Sequence, residues 1–529
     1  MKEFAGTGVL VRLMLRRDRI ILPLWVVVLA LLPVTVASTL AGLYPTVAER
    51  QAYADILTAN PAFLALYGPV FGSGLGALTA WRLTGTLLLV GLASLLTVIR
   101  HTRAEEEAGR RELLGATVVG RQAPLVAALF VTFGANLALG ALVAVGLVTY
   151  GLPAPGSVAL GIAWAAFGWT FAAVAAVTAQ VTEGARAAKG IAIAVLGVCY
   201  LLRAVGDAGE RDWLSWLSPF GWAQRLRPFA DERWWVFALS VGLAAVLIGA
   251  ALALSSRRDL GSGLLLTRPG PAAGAPWLRS PLALAWRLQR GSLIAWTFGF
   301  GVFGAMLGNI AQGAVEVVGD NPQLRGVIEQ LGGSSGLADV YFAAVMGILG
   351  LVASGYAIGA TLRLRSEEAS GRVEPVLAAA VTRTRWATSH LLFALAGPAV
   401  VLAAAGLAAG LAYGLSSGDV GRELPRVLGA AVAQLPAAWV LAGVAAAMFG
   451  VLPRFAAPVG WGALAACVLL EELGRLLQLN ERVLDLSPFT HLPKLPGGEV
   501  FAAPLVWLTL AAVTLAVVGI LGLRRRDVL

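Results

Sequence analysis

Long apolar runs, separated by shorter polar segments, recur along almost the whole of this chain. Most runs approach the ~20 residues that an α-helix needs to cross the hydrocarbon core of a bilayer. A backbone in hydrocarbon has no water to bond with, and a helix satisfies its own amide and carbonyl groups. The pattern therefore predicts an all-α integral membrane protein with about twelve transmembrane helices, at residues 20–43, 77–99, 124–149, 157–181, 189–206, 234–254, 292–314, 340–361, 389–415, 427–451, 458–473 and 501–523.

The composition agrees with a protein that has lipid as its solvent. Hydrophobic residues make up 58% of the chain and charged residues only 13%, with a mean hydropathy of +0.78. A soluble protein of 529 residues could not bury that much apolar surface. The two cysteines, Cys199 and Cys467, fall inside predicted helices and have no metal-ligand neighbours, so we expect neither a disulfide nor a metal site.

The positive charge is explained by membrane topology. A formal charge of +10 could suggest a nucleic-acid partner, so the position of the basic residues matters more than their number. If the N-terminus is cytoplasmic, most of the 40 lysines and arginines fall on the cytoplasmic side, as the positive-inside rule requires. We therefore expect cytoplasmic N- and C-termini, a retained first helix and no nucleic-acid partner.

The two halves of the chain repeat one another. Residues 103–121 and 365–383 align without a gap at an offset of 262 and share nine identical positions. Six predicted spans in each half give parallel repeats related by an axis along the membrane normal. We therefore expect a first transmembrane half at 1–255, a Gly- and Pro-rich cytoplasmic linker with a second connecting helix at 256–291, and a second transmembrane half at 292–529.

We call residues 103–121 the first acidic segment and residues 365–383 the second acidic segment. Both are predicted to be cytoplasmic, and they are acidic where the rest of that face is basic. On a helix their carboxylates and arginines would share the exposed side. A solvated interfacial helix would explain one copy. Two copies with the same charged positions favour a docking surface for a repeated partner.

The acidic segments carry a motif, Glu-x-x-Gly-x-x-Glu followed by an apolar stretch and Val-x-Arg. It resembles the coupling-helix motif of ABC-2 type (type V exporter-like) permeases. The opening FAGTGVLVRLMLRRDRIILPLW and other stretches also look like actinobacterial exporters of polyketide antibiotics, in which two permease halves are fused. This resemblance implies ATPase-coupling roles for Glu105, Glu106, Gly109, Arg110, Glu112, Arg121, Glu367, Glu368, Gly371, Arg372, Glu374 and Arg383.

The resemblance also implies partners. Two copies of a separate ABC ATPase subunit would carry ATP and Mg, dock on the coupling helices and drive export of an amphipathic small molecule, such as a polyketide antibiotic or a drug. The chain itself has no Gly-x-x-x-x-Gly-Lys-Ser/Thr loop, so we expect it to be a non-enzymatic subunit without a cofactor of its own. Its implied location is the bacterial cytoplasmic membrane, in contact with lipid. The stretch Val9–Arg19 resembles the N-terminal connecting helix of that family, although it could equally be a basic anchor for the first span.

A few polar positions near the membrane suggest an external gate. Aligning Cys199 with Cys467 places Arg203 opposite Glu471, and we hypothesise an ion pair between Arg203 and Glu471 or Glu472. Independent snorkelling of these side chains to external water is the alternative. The repeated Ser-Pro-Phe elements, with Pro219, Phe220, Pro488 and Phe489, resemble re-entrant elements that cap the exit. Ordinary interfacial anchoring would explain them equally well.

Two other functions compete with an ATP-driven exporter. A proton-driven secondary transporter can also have twelve spans in two repeats, but it would be expected to carry acidic or histidine residues in mid-membrane. Only Glu471 and Glu472 come near a predicted span interior. A membrane enzyme would need clustered catalytic or metal-binding groups, whereas His101, His390 and His491 are scattered.

Overall fold

A computed structural model describes residues 2–526 apart from 60, 116, 210, 259–262, 265–272, 320–332, 380, 474–479 and 500. Within these ranges the secondary structure is helical, with no β-strand. The prediction of an all-α protein is confirmed. Two compact units divide the chain, Met1–Gly270 and Pro271–Leu529, and each contains six long apolar helices.

Twelve helices are long and apolar enough to cross a membrane, as the apolar runs predicted. Several are longer than their apolar runs, because a helix continues into the polar residues at the bilayer surface. We number these spans in chain order: Ile21–Leu43, Leu75–Glu107, Ala123–Thr149, Ala154–Val181, Ala185–Ala208, Trp234–Arg257, Pro281–Ala311, Ala338–Ala369, Arg383–Ser417, Val420–Val451, Pro453–Glu471 and Ala502–Arg525.

The first half contains shorter helices between its spans. The N-terminal helix Thr7–Arg17 precedes the first span, and two helices follow that span before the second begins. The α-helices of this half are Thr7–Arg17, Ile21–Leu43, Val47–Ala59, Pro61–Tyr67, Leu75–Arg82, Leu87–His101, Arg103–Glu107, Arg110–Gly115, Ala123–Thr149, Ala154–Val181, Ala185–Ala208, Asp212–Trp216, Pro219–Arg225 and Phe237–Arg257.

The second half repeats this order with differences in detail. Its first helix begins at Pro281, inside the stretch predicted as linker and connecting helix, and runs without a break into the seventh span. Its α-helices are Pro281–Gly319, Gly333–Ala369, Val373–Ala378, Arg383–Ser417, Val420–Val432, Leu435–Val451, Ala456–Leu473, Glu481–Leu484 and Ala502–Arg525.

Small residues let the spans pack at close range. The fourth span is the most buried in the first half, and it packs against the second, third, fifth and sixth spans. Where it crosses the third span, a Cβ on Gly140 would clash with the carbonyl group of Gly161. In the second half, Gly450 and Gly519 make the same kind of backbone contact. No hydrophobic effect drives helices together in lipid. Such glycines let the helices approach closely, and the resulting van der Waals contacts stabilise their association.

One hydrogen bond recurs in both halves and aligns their third and fourth spans. The Trp169 indole donates to the carbonyl of Phe133 (3.1 Å), and the Trp439 indole donates to the carbonyl of Leu395 (2.8 Å). The tryptophans are 270 residues apart and the carbonyls 262, which is the offset of the acidic segments. The repeat therefore extends into the membrane-embedded packing.

The close crossing predicts which glycines of the third span tolerate a methyl group. We expect Gly140→Ala to lower stability by roughly 1–3 kcal/mol, because the crossing backbones must separate. The matched variant on the same helix is Gly134→Ala, whose new Cβ would meet open space. Thermal unfolding in detergent, followed by tryptophan fluorescence, should show a lower Tm for Gly140→Ala only. Equal Tm values would contradict the close packing.

Candidate functional site

Each acidic segment is two short helical pieces joined at a glycine, and not one continuous helix. The helix Arg103–Glu107 ends before Gly109, which has φ +70°, and the next helix begins at Arg110. In the second segment Gly371 has φ +68° after a helix that ends at Ala369. Glycine adopts this left-handed conformation without the strain of a Cβ. The motif glycines therefore set the angle at which the second piece leaves.

Glu106 of the first acidic segment is buried and bound by arginines. Its two carboxylate oxygens accept hydrogen bonds from Arg258, at 2.9 and 2.7 Å. Arg103 and Arg111 also lie 3.1 Å from this carboxylate. Burial lowers the pKa of Arg111, and the attraction of Glu106 opposes this effect. Gln180 of the fourth span accepts a hydrogen bond from Arg258 at 2.8 Å, which fixes the guanidinium from its other side.

Glu368 occupies the equivalent place in the second acidic segment. It accepts hydrogen bonds from both terminal nitrogens of Arg526, at 2.5 and 2.8 Å. Among the described residues, Arg365 at 3.9 Å is the next cation. Arg258 and Arg526 each follow directly after the last helix of their half. The same ion pair therefore joins the acidic segment to the end of the last span of each half.

A second contact strengthens each junction. Arg121, at the end of the first acidic segment, donates to the carbonyl of Arg258, and Arg383 donates to the carbonyl of Arg526 at 2.5 Å. We call Glu106, Arg121 and Arg258 the first clamp. We call Glu368, Arg383 and Arg526 the second clamp. In each clamp two groups of one acidic segment bind a single arginine. The carboxylate binds its side chain, and the guanidinium binds its backbone carbonyl.

The neighbouring glutamates, Glu105 and Glu367, also have arginine partners. Glu105 contacts Arg17 (2.5 Å) and Arg110 (3.1 Å). Glu367 contacts Arg363 (2.8 Å) and, more distantly, Arg372 (3.8 Å). The remaining predicted residues are on the surface: Arg110, Glu112, Arg372 and Glu374 are exposed. Among the predicted coupling residues, Glu106, Glu367 and Glu368 are thus buried, whereas Arg110, Glu112, Arg372 and Glu374 form an exposed group after each glycine.

The N-terminal helix Thr7–Arg17 packs beside the first acidic segment. Leu10 and Met14 are buried against the third span, and Arg17 reaches Glu105. The residue after this helix, Asp18, is buried and lies 2.6 Å from the ring of His101, two residues before the first acidic segment. The helix predicted from Val9–Arg19 is therefore held by both apolar and ionic contacts.

Arg258 and Arg526 were missed as functional residues in the sequence. They were visible only as part of a repeated Arg-Arg-Asp triplet after the last span. The signal that could have identified them is the recurrence of this basic triplet after the last span of each half, since a buried carboxylate needs a cation.

Comparisons with known proteins now bear on this arrangement. Residues 10–254 and again residues 278–524 match the family described as multidrug efflux system permease Rv1217c, C-terminal domain. The multidrug efflux system permease protein Rv1217c of Mycobacterium tuberculosis (strain ATCC 25618 / H37Rv) is 47% identical over 526 residues, which cover 99% of this chain and 96% of that relative. The chain belongs to this permease family. The two matched ranges correspond to the two six-helix halves, so this permease consists of two fused copies of one domain.

Arg203, a predicted gate residue of this permease, is fully buried in the first half. Its guanidinium donates to the carbonyls of Leu66 (3.0 Å) and Leu64 (3.4 Å), at the end of the helix Pro61–Tyr67. Asp207 lies 3.8 Å away. A cation is favourable there, because the carbonyls at a helix C-terminus carry partial negative charge. The contacts described for Arg203 thus tie an inter-span helix to the fifth span.

The acidic partners predicted for Arg203 lie in the second half. Glu471 accepts a hydrogen bond from the Ser487 hydroxyl at 2.9 Å, and the side chain of Glu472 is outside the described residues. The ion pair between the halves stays a prediction.

The two Ser-Pro-Phe elements share one local hydrogen bond, although only the first begins a helix. In each, the serine is fully buried, and its hydroxyl accepts a hydrogen bond from the amide of the phenylalanine two residues on, at 3.2 Å for Phe220 and 3.3 Å for Phe489. Pro219 begins the helix Pro219–Arg225, as proline does at a first helical position. Both phenylalanines are buried within their own halves. A role of Pro219, Phe220, Pro488 and Phe489 in gating stays a prediction.

The clamps differ in a way that mutation can test. Arg526→Met removes the close cation from Glu368, whereas Arg258→Met leaves Glu106 with Arg103 and Arg111. We expect Arg526→Met to cost about 3–5 kcal/mol of local stability, since breaking a buried pair leaves a carboxylate uncompensated. Amide hydrogen exchange should accelerate in residues 366–378 of Arg526→Met more than in residues 103–115 of Arg258→Met.

Two further variants control this comparison. Arg524→Met alters an exposed arginine at the end of the same last helix and should leave exchange unchanged. Adding Glu368→Gln to Arg526→Met should restore much of the protection, because the buried charge is gone. Unchanged exchange at residues 366–378 in Arg526→Met would show that Arg526 does not hold the second acidic segment.

Proposed function

We propose that this chain is the transmembrane permease of an ATP-driven exporter, energised by two copies of a separate ABC ATPase subunit that dock on the two acidic segments. The substrate is an amphipathic small molecule, a polyketide antibiotic or a drug, moved out of the cell. The chain lies in the bacterial cytoplasmic membrane with both termini in the cytoplasm, and ATP and Mg belong to the ATPase subunits. The relative from Mycobacterium tuberculosis, named a multidrug efflux system permease, supports this class of cargo.

The observation that carries the proposal is the repeated clamp with an exposed charged group beyond it. A force applied to a loop is lost if the loop bends. Each acidic segment is instead fixed to the last helix of its half by a buried ion pair, and its glycine directs the next piece away from that junction. Displacement of the exposed piece would therefore displace the span to which it is clamped.

The two groups of residues then have different roles. Arg110, Glu112, Arg372 and Glu374 are exposed and would contact the ATPase subunits. Glu105 and Glu367, which keep arginine partners, would flank that contact. Glu106, Arg121, Glu368 and Arg383 are clamp members and would transmit the displacement, while Gly109 and Gly371 set its direction. Buried ion pairs add little net stability, but they specify geometry well, which suits a transmitting element.

Charge reversal on the exposed group tests docking. We expect Glu112→Lys together with Glu374→Lys to lower co-purification with the ATPase subunit by at least about tenfold, because like charges at an interface cost several kcal/mol. The matched control, Glu481→Lys together with Glu499→Lys, reverses two exposed glutamates elsewhere in the second half. Co-purification that is unaffected in the first double variant, with transport intact, would refute docking on the acidic segments.

The energy source separates this proposal from a proton-driven carrier. In cells that contain the chain and its ATPase subunit, we expect efflux of a fluorescent drug to stop when ATP is depleted and to continue when an uncoupler collapses the proton gradient. The reverse result would identify a secondary transporter. Cells with the permease but without the ATPase subunit provide the baseline.

A further inference from the structure

The second half contains a large cavity that the proposed coupling does not use. Its volume is about 970 Å³, and its walls come from the eighth span, the tenth span, the eleventh span and the segment after the second Ser-Pro-Phe element. Binding sites for drug-sized molecules commonly enclose about 300–1,000 Å³. All its lining residues belong to the second half. The acidic segment begins at the other end of the eighth span.

In the first half, tryptophan side chains occupy the region that corresponds to this cavity. At the offset of 262, Ala343 of the cavity wall corresponds to Trp81, and at the offset of 270 set by Trp169 and Trp439, Gln434 corresponds to Trp164. Trp81 and Trp164 are buried and line a space of only about 40 Å³. Two indoles that line this small space in the first half thus correspond to smaller side chains in the cavity wall of the second half.

Gln434 places a polar side chain in the cavity wall. It is only 5% exposed, it lines the cavity, and its amide has no hydrogen-bond partner among the described residues. It lies where the tenth span breaks between Val432 and Leu435. Its amide can donate and accept hydrogen bonds, so a polar group on a molecule in the cavity would pair with it.

The negative charge of Glu471 in the cavity wall favours a cationic ligand. Glu471 lines the cavity, and its carboxylate bonds the buried Ser487 hydroxyl with no cation within 4 Å among the described residues. Asp339 is neutralised by Arg426 at 2.6 Å. Lys494 is exposed, where water screens its charge. The remaining wall includes Ile348, Leu351 and Phe489, which would pack against an apolar body.

We propose that this cavity binds an amphipathic molecule with a protonated amine, the amine paired with Glu471, a polar group bonded to Gln434 and the apolar body against the remaining wall. The inference deepens the proposed export function and rests on it for the role of the bound molecule. It assigns this binding to the second half alone, since tryptophan fills the matching space of the first half.

Equilibrium binding to the full chain in nanodiscs of uncharged lipid tests the site. The probes are dansylcadaverine, an amphipathic primary amine, and its N-acetyl derivative, which has no charge. We expect the chain to bind the amine roughly tenfold more tightly than the neutral derivative, as one charged hydrogen bond allows. Glu471→Gln should abolish this preference by weakening the amine alone, and Gln434→Leu should weaken both probes.

Filling the cavity provides the decisive variant. Ala343→Trp copies the residue that the first half already accommodates and should abolish binding of both probes. Val352→Trp, an exposed position on the same helix outside the cavity lining, should change neither. If Ala343→Trp does not accumulate, Ala344→Leu narrows the same space. Unchanged binding in a folded filled variant, or equal affinity for the two probes in the unaltered chain, would overturn the proposal.

The failure of this proposal is distinguishable from that of the coupling mechanism. No ATPase subunit or nucleotide takes part in the binding measurement, so its result is independent of docking on the acidic segments. Glu112→Lys with Glu374→Lys should leave the affinity for dansylcadaverine unchanged.

Discussion

A carboxylate removed from water at the edge of a membrane must meet a cation, and in this permease each half supplies that cation from the end of its own last helix. Glu106 meets Arg258, and Glu368 meets Arg526. The desolvation of both charges offsets most of their attraction, so the pair contributes position more than stability. The pair has a consequence for assembly. The acidic segment of each half can take up its position only when the last span of that half is in place.

Much of the fold could be predicted from the sequence. The twelve spans were predictable because a helix in lipid needs a long apolar run, and such a run is directly visible in the sequence. The repeat was predictable because nine identities at one offset survive in the acidic segments. The break at Gly109 and Gly371 was not predicted, although a glycine in a charged helical stretch is a standard sign of a left-handed turn.

The candidate site was less accessible to prediction. Charge alone does not distinguish a glutamate that faces solvent, such as Glu112, from one that is buried, such as Glu106, because the partner that permits burial is 152 residues away in the chain. Arg203 illustrates the same limit, since its partners include the backbone carbonyls of Leu64 and Leu66, which carry no signature in the sequence. The cavity depends on which residues are small, and smallness in a membrane helix usually means close packing.

Trp169 and Trp439 make the same bond to the third span of their halves, while five residues earlier the first half has Trp164 and the second has Gln434. In a homodimer of identical subunits, both copies would have this cavity or neither would. A single polypeptide that contains both copies escapes this restriction, because a mutation in one copy leaves the other as it was. Fusion thus lets evolution keep one half as a rigid frame and adapt the interior of the other to new guests.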